Sequence, residues 1–342
     1  MGIKKPPDIT QLIKTLKRGK ADYIPLVELG IHPKIKGRFL GRPLLNLRDE
    51  IEFSHKAGYD YVKLQPVFNF DLISSDNNMQ DEKTDAIRKW APESEGLINN
   101  SDDIEKVHFP KNEEISYSSF EEVKDYLPEG MGVIGQYGDI FTMTWEMMGF
   151  ENFSLALFQD PVLVDTLNEK IGNLVLSMFE YFVKSDVVDI IWYSDDIAYQ
   201  TGLMISPMHL DKYFFPWLKK IGDLAKKYNK PFIYHSDGIL YSVMDKIIDC
   251  GVDALHPIEP KAMNIKDVKD RYGEKLSLIG NIDVDLLSRG STNEIRNQVL
   301  FNIEEVGMEG GYCVGSGNSI PDYVKYENYI AMIETVKEYN GF

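Results

Sequence analysis

The feature that most constrains the fold is an alternation of short strand-like runs with segments of helical length. Eight runs of β-branched or aromatic residues, each followed by turn residues, are predicted as strands: residues 23–30, 59–65, 132–136, 188–194, 231–234, 254–257, 276–280 and 311–314. Amphipathic segments between them predict helices, including residues 161–183, 207–227, 240–250, 265–272 and 292–305. Strands that alternate with helices pair in parallel through right-handed crossovers. The pattern therefore predicts an α/β protein with a single (β/α)8 TIM barrel, and 342 residues suffice for one such barrel with insertions.

Two regions depart from this alternation. Residues 70–114 are strongly polar and weakly periodic, which predicts a long insertion after the second strand. Residues 7–16 predict a short helix that precedes the barrel. The whole chain, residues 1–342, is therefore expected to be one barrel domain with an N-terminal helical extension.

The charge balance restricts the partners of the protein. The chain has 54 acidic and 37 basic residues, which gives a net charge of −17. Such a charge disfavours binding to nucleic acid or to an anionic membrane surface. No apolar run approaches the roughly 20 residues of a membrane span, and no apolar signal core follows the N-terminus. The sequence predicts a cytoplasmic protein.

The end of the fifth predicted strand carries a histidine and a carboxylate with a spacing of two. Side chains on a strand alternate between its faces, so His235 and Asp237 point the same way. An imidazole and a carboxylate on one face suit a metal ion or a proton-transfer step. The alternative is a structural histidine followed by a solvated turn.

Other predicted strands also end in polar residues. Because the active sites of such barrels lie at the C-terminal ends of the strands, these residues are predicted to line a common cavity. They include Glu28, Gln136, Tyr137, Asp195, Asp196, His256 and Asn318. Strand alternation allows only one of Asp195 and Asp196 to face inward. Aromatic residues such as Tyr137 and Tyr193 could stack against a substrate ring, although core packing explains aromatic residues equally well.

Five segments together resemble the uroporphyrinogen decarboxylase superfamily. They are His-Ser-Asp-Gly at 235–238, Gly-Val-Asp-Ala-Leu-His-Pro-Ile-Glu-Pro at 251–260, Leu-Ile-Gly-Asn-Ile-Asp at 278–283, the glycine-rich segment 310–321, and Glu-Asn at 327–328. The resemblance covers nearly the whole chain and implies the barrel. It also implies one of two chemistries, since the superfamily contains porphyrinogen decarboxylases and corrinoid-dependent methyltransferases.

The resemblance is closer to the methyltransferases. The decarboxylases carry an arginine-rich segment after the first strand, whereas this chain has Glu-Leu-Gly-Ile-His-Pro at 28–33. The thiol-methylating members bind zinc through a His-x-Cys pair and a later cysteine. Here His235 matches the histidine, while Asp237 and Asn318 stand at the cysteine positions. Members with His-Ser-Asp-Gly resemble the O-demethylating methyltransferases, which move a methyl group from a phenyl methyl ether to the cob(I)alamin of a separate corrinoid protein.

The resemblance implies a site and its cofactors. Zinc is expected at His235 and Asp237, with Glu28 or Asp195 completing the ligand set. Asp195, favoured over Asp196 by its position in the superfamily, and His235 are the expected catalytic residues. The residues expected to bind a small methylated substrate are Gln136, Tyr137, Tyr193, His256 and Asn318. Cobalamin is expected from a partner protein. The alternatives are a porphyrinogen decarboxylase and a barrel that binds a small ligand without chemistry.

Overall fold

The chain folds around one curled parallel sheet. A computed structural model describes residues 6–68 and 96–342. The strands in this part of the chain are β1 (Tyr61–Leu64), β2 (Gly132–Gly138), β3 (Ile190–Ser194), β4 (Ala198–Tyr199), β5 (Gly202–Leu203), β6 (Phe232–His235), β7 (Ala254–His256), β8 (Ser277–Ile282) and β9 (Tyr312–Ser316). Seven of them form the parallel sheet, in the order β1-β2-β3-β6-β7-β8-β9, while β4 and β5 form a separate antiparallel ribbon.

Helices follow most of the strands, as the alternating sequence pattern predicts. The helices among the described residues are α1 (Ile9–Leu16), α2 (Pro33–Leu40), α3 (Leu47–Ala57), α4 (Ser101–Ile104), α5 (Ser118–Glu122), α6 (Ile140–Met148), α7 (Phe150–Gln159), α8 (Pro161–Lys184), α9 (Pro207–Tyr213), α10 (Phe215–Tyr228), α11 (Met244–Asp249), α12 (Ile265–Tyr272), α13 (Val284–Arg289), α14 (Thr292–Asn302) and α15 (Tyr326–Asn340). Local sequence explains their starts. Helix α8, for example, begins with Pro161 after Asp160, whose side chain accepts a hydrogen bond from Leu163 N at 3.2 Å.

The first of the eight predicted strands is not formed as a regular strand. Within residues 23–30, Leu26 makes a single parallel bridge to Val314 on β9. Val27 N donates to Val314 O at 2.8 Å, and Val314 N donates to Pro25 O at 3.0 Å. Pro25 has no amide hydrogen, so a continuous ladder cannot run through it. The described fold is therefore an α/β fold with a curled sheet of seven strands, beside which residues 25–27 lie along β9.

Alternation along β3 decides which side chains face the inside of the curled sheet. Trp192 packs inward on His256, with ring centroids 5.1 Å apart. Tyr193 points the other way and stacks on Tyr234 at 6.1 Å. Because the direction alternates with each residue, Ser194 is expected on the side of Trp192.

The predicted N-terminal helix is present as α1. Asp8 caps it by accepting a hydrogen bond from Thr10 N at 3.0 Å. Ser277 Oγ, at the start of β8, donates to Thr15 O at 2.8 Å and to Leu16 O at 2.9 Å. Helix α1 therefore packs at the N-terminal end of the sheet, opposite to the ends of β3 and β6.

The predicted insertion, residues 70–114, is only partly described, because residues 69–95 lie outside the described part of the chain. Residues 96–114 contain α4 and a short 3-10 helix, Asn112–Glu114. No helix among the described residues has both the length and the apolar character that a membrane crossing needs.

Candidate functional site

Three side chains meet where β3 and β6 end, and we call them the carboxylate–histidine cluster. They are Asp196, His235 and Asp237, and each offers one potential ligand atom, all within 4.8 Å of one another. His235 Nε2 lies 3.5 Å from Asp196 Oδ1. His235 is buried, while the two aspartates are partly exposed. The structure thus brings His235 and Asp237 together, as their spacing predicted, and adds Asp196.

The turn after β6 holds the cluster in place. Asp237 N donates to Asp196 Oδ1 at 2.9 Å, and Asn318 Nδ2 donates to Asp237 Oδ2 at 2.5 Å. Gly238 has φ +87°, and a Cβ there would lie 2.6 Å from the carbonyl carbon of Ala198. Glycine is therefore required at this position, since other residues disfavour positive φ and would also clash.

A second histidine lies behind His235 rather than in a substrate cavity. His256 is fully buried, and its Nδ1 lies 2.7 Å from His235 Nδ1. Burial, with His235 and Lys63 nearby, holds the pKa of His256 well below its usual range, so this imidazole is neutral. When the His256 Nδ1 accepts the proton of His235 Nδ1, the lone pair of His235 Nε2 points to the cluster. His256, predicted to bind substrate, is thus placed to orient His235.

The cluster fits a zinc-like divalent ion. One imidazole nitrogen and two carboxylate oxygens are ligands that zinc uses, and a fourth position would stay open for substrate. Two ligands about 2.0–2.1 Å from a tetrahedral ion lie about 3.4 Å apart. The 3.5 Å between His235 Nε2 and Asp196 Oδ1 matches that separation.

The cluster forms a wall shared by three cavities. The aromatic cavity, of about 420 Å³, is lined by Trp145, Tyr199 and Met204 together with Asp196 and Asp237. The rim cavity, of about 370 Å³, is lined by Asp237, Asn318, Lys261, Asp283 and Tyr323. The inner cavity, of about 180 Å³, is lined by Asp196, His235, Lys63, Gln65, Gln136 and Ser194. A group bound at the cluster would therefore be within reach of ligands in each cavity.

Asp195, predicted to act at the His235 site, supports helix α6 instead. Its Oδ2 accepts from Phe141 N at 2.7 Å and from Tyr193 OH at 2.5 Å. Its Oδ1 accepts from Thr142 N at 2.9 Å and from Thr142 Oγ1 at 2.8 Å. Burial and nearby Asp139 raise the pKa of Asp195 to about 7, against the effect of these hydrogen bonds. Both carboxylate oxygens of Asp195 are therefore held by α6 and Tyr193, although Asp195 also borders the inner cavity.

Glu28, predicted as a metal ligand, is not brought to the cluster. It is 4% exposed, and its two oxygens accept hydrogen bonds from Ser316 N at 2.8 Å and Ser316 Oγ at 2.6 Å. Burial raises its pKa to about 8, although the bonds to Ser316 and the nearby Lys63 lower it in part. Glu28 lies in the predicted first strand, which is not formed as a regular strand. Strand alternation therefore does not determine where its side chain points.

Replacing Glu28 by glutamine should change the pH dependence of stability. The folded pKa of about 8 lies above the usual glutamate pKa of 4.5, so between these values the folded state holds a proton that the unfolded state has released. Stability of the wild type is therefore expected to fall as pH rises from about 4.5 to about 8. Glutamine imitates the protonated acid, since it can accept from Ser316 N and donate to Ser316 Oγ. We expect Glu28→Gln to gain on the order of a few kcal/mol over the wild type at pH 8, since one pKa unit corresponds to about 1.4 kcal/mol.

Urea unfolding between pH 5 and pH 8.5 measures this difference. Glu129→Gln, a change at an exposed glutamate, is the matched control and should follow the wild-type curve. Parallel curves for Glu28→Gln and the wild type would show that Glu28 does not carry a raised pKa. If the Glu28→Gln variant lost its metal, the result would show that Glu28 is a metal ligand.

The remaining predicted residues divide into two groups. Gln136 lines the inner cavity and Asn318 the rim cavity, so both are placed near the cluster. Tyr193 is fully buried against Phe214 and Tyr234 on the outer side of β3, and half-buried Tyr137 packs on Phe68. Among the described residues, neither tyrosine lines one of the three cavities. The sequence prediction also missed Lys63, whose only signal was a charged residue within an apolar strand.

Comparisons with known proteins agree with this fold and identify the family. The uroporphyrinogen decarboxylase of Pseudoalteromonas translucida is 23% identical over 266 residues, covering 73% of this chain and 72% of that protein. The uroporphyrinogen decarboxylase of Aliivibrio salmonicida is 23% identical over 263 residues, covering 72% and 71%.

A solved structure, a methyltransferase from Methanosarcina mazei, aligns with 98% of this chain and 99% of its own chain, with a TM-score of 0.70 and 18% identity. This likeness establishes the shared fold. The family model described as uroporphyrinogen decarboxylase (URO-D) matches residues 83–339. That match spans well over half of the chain, so the chain belongs to the uroporphyrinogen decarboxylase family, as its motifs implied.

Proposed function

We propose that this protein is a corrinoid-dependent methyltransferase. It would move a methyl group from a small methylated donor, in particular a phenyl methyl ether, to the cob(I)alamin of a separate corrinoid protein. The observation that carries the proposal is the carboxylate–histidine cluster, which combines metal-binding groups with a position between three cavities. We further propose zinc as the ion held by Asp196, His235 and Asp237.

The chemistry of the donor explains why such a cluster is useful. A phenyl ether is inert because phenolate is a poor leaving group. A metal ion at the cluster would act as a Lewis acid toward the departing oxygen, and the partner's reduced corrinoid would supply the nucleophile. Two carboxylates and a neutral imidazole balance the charge of a divalent ion, so the cluster would carry no excess charge when loaded.

Other residues of the chain would bind and orient the donor. Trp145 and Tyr199 offer aromatic faces in the aromatic cavity, beside Asp196 and Asp237. His256 holds the His235 ring through its Nδ1 contact. Asn318 holds Asp237 by donating to Oδ2. These contacts fix the cluster before a substrate arrives, which lowers the cost of reaching the reactive geometry.

The cavities argue against the decarboxylase alternative. A porphyrinogen carries many carboxylates, which need cationic partners. Of the described residues that line the aromatic cavity, none is Lys or Arg, while Asp196, Asp237 and Glu259 are acidic. In the rim cavity, Lys261 Nζ pairs with Asp285 Oδ2 at 3.0 Å and is thereby neutralised. Such walls would repel a polycarboxylate, and Lys63, the one cationic residue among the described residues that line the inner cavity, could not pair with several carboxylates.

The proposal predicts methyl transfer without porphyrinogen decarboxylation. Zinc-loaded protein is mixed with reduced cobalamin and a panel of methoxybenzenes, and the absorbance of methylcobalamin is followed. We expect methylcobalamin to form with at least one donor and uroporphyrinogen to remain unchanged in a parallel assay.

The two assays separate the three candidate functions. Turnover of uroporphyrinogen at an enzymatic rate would overturn the proposal in favour of a decarboxylase. Donors that bind tightly but transfer no methyl group, even with the metal present, would instead indicate a ligand-binding barrel. The same reaction without donor gives the background rate.

A further inference from the structure

The inner cavity contains a lysine that the cluster does not use. Lys63 lies in the middle of β1 and lines this cavity together with Gln65, Gln136, Asp196 and His235. Its Nζ donates to the backbone carbonyl of Leu29 and lies 5.5 Å from the centre of the Trp192 ring. Within the described residues, no carboxylate lies at salt-bridge distance from this Nζ. An ammonium group carries three hydrogens, so two remain after the bond to Leu29.

Burial of a lysine ammonium group destabilises the fold unless a hydrogen-bond acceptor pairs with it. Burial, together with Lys36 nearby, lowers the pKa of Lys63 to about 7, against the effect of Glu28 and Glu50. An anionic oxygen brought into the cavity would stabilise the charged form and accept its hydrogen bonds.

Two amide side chains stand beside this lysine. Gln65 Nε2 donates to Gln136 Oε1, and Gln136 Nε2 donates to Ser194 Oγ at 3.0 Å. Each amide nitrogen carries a second hydrogen that these bonds do not use. One ammonium and two amides therefore give the inner cavity several donors.

Carboxylates also line the inner cavity, but several of their oxygens already accept hydrogen bonds from other protein groups. Both oxygens of Asp195 accept hydrogen bonds from α6 or Tyr193. Asp196 Oδ1 accepts a hydrogen bond from Asp237 N at 2.9 Å and lies 3.5 Å from His235 Nε2. Asp139 also borders this space, so the experiment must compare ligands of both charges.

We propose that the inner cavity is a subsite for a carboxylate substituent of the bound substrate, and that Lys63 selects it. The volume of about 180 Å³ is roughly six times the space of a water molecule, which is enough for a carboxylate and its stem. The inference rests on the proposed function only in treating the ligand as a methyl donor. It narrows the donor class to small aromatic acids that carry a methoxy group.

Binding of simple probes tests the subsite without any turnover. Benzoate, neutral benzamide and cationic benzylamine are titrated into the purified protein by calorimetry. We expect the wild type to bind benzoate at least 10-fold more tightly than either other probe. Lys63→Met should remove this preference, whereas Lys63→Arg should keep part of it. Methionine removes a charge that burial already disfavours, so the variant is expected to fold, and a thermal melt checks this.

Lys36→Met is the matched control. Lys36 is also a partly buried lysine nearby, but its Nζ pairs with Glu50 Oε2 at 2.6 Å and it does not line the inner cavity. This variant should keep the wild-type preference for benzoate. The titrations are repeated after metal removal, because a carboxylate could also bind to a metal ion at the cluster.

The outcomes are distinct. Preference for benzoate that survives metal removal and disappears only in Lys63→Met supports the proposal. The proposal is overturned if a well-folded Lys63→Met retains the preference, if the preference requires the metal, or if the wild type shows none. Absence of methyl transfer to cobalamin would defeat the proposed function but would leave these binding results unchanged.

Discussion

Replacing His235 by alanine is expected to remove most of the zinc from a protein that otherwise binds about one ion per chain. His235 supplies the only nitrogen in the carboxylate–histidine cluster, and the two remaining aspartates would repel each other. Loss of a residue that merely orients a ligand weakens metal binding about 10- to 100-fold. Loss of the ligand itself should therefore exceed about 100-fold, as measured by elemental analysis and by competition with a chelator. Methyl transfer should fall in parallel.

His209→Ala is the matched control for this change. His209 is also nearly buried, but it lies on α9 and packs edge-on against Phe158, with ring centroids 5.1 Å apart. Its replacement should leave the zinc content unchanged. Full zinc occupancy in a folded His235→Ala variant would exclude His235 as an important ligand.

Replacing Asp195 by alanine is expected to destabilise the fold by about 3 kcal/mol or more. The substitution leaves the amides of Phe141 and Thr142 at the start of α6 without their acceptor, and also the hydroxyl of Tyr193. Each buried donor without a partner costs about 1–3 kcal/mol. Urea unfolding at constant pH measures the loss.

Asp196→Asn is the neighbouring comparison. Asparagine keeps an oxygen that can accept from Asp237 N, so its unfolding free energy should change by less than about 1 kcal/mol. The same variant should lose zinc and methyl transfer, because it removes a charged ligand from the cluster. If Asp195→Ala stayed fully stable and lost the metal, while Asp196→Asn kept it, the roles given to the two aspartates would have to be exchanged.

Much of the architecture was predictable because it depends on local pattern. Seven of the predicted strands correspond to β1, β2, β3, β6, β7, β8 and β9, the strands of the parallel sheet. The spacing of two between His235 and Asp237 also sufficed to place both at one site. Strand alternation needs no knowledge of distant residues, which is why local pattern was enough for these placements.

The residues that the structure places differently from the predictions all depend on information that local pattern lacks. The choice between Asp195 and Asp196 required knowing which of Trp192 and Tyr193 faces inward, and both are large aromatic residues that either side accepts. The role of His256 depends on a neighbouring strand bringing it within 2.7 Å of His235. Glu28 follows Pro25, which interrupts the ladder that would have set its direction. Each of these positions is decided by contacts between elements distant in sequence.

The proposed catalytic metal is tested most directly by measuring zinc binding and methyl transfer in the same titration. Metal-free protein is titrated with zinc, and methyl transfer from a methoxybenzene donor to reduced cobalamin is measured at each step. The rate is expected to rise in proportion to bound zinc and to level off at about one ion per chain, with no such rise in Asp196→Asn. Full activity in the metal-free protein would contradict a catalytic metal at Asp196, His235 and Asp237.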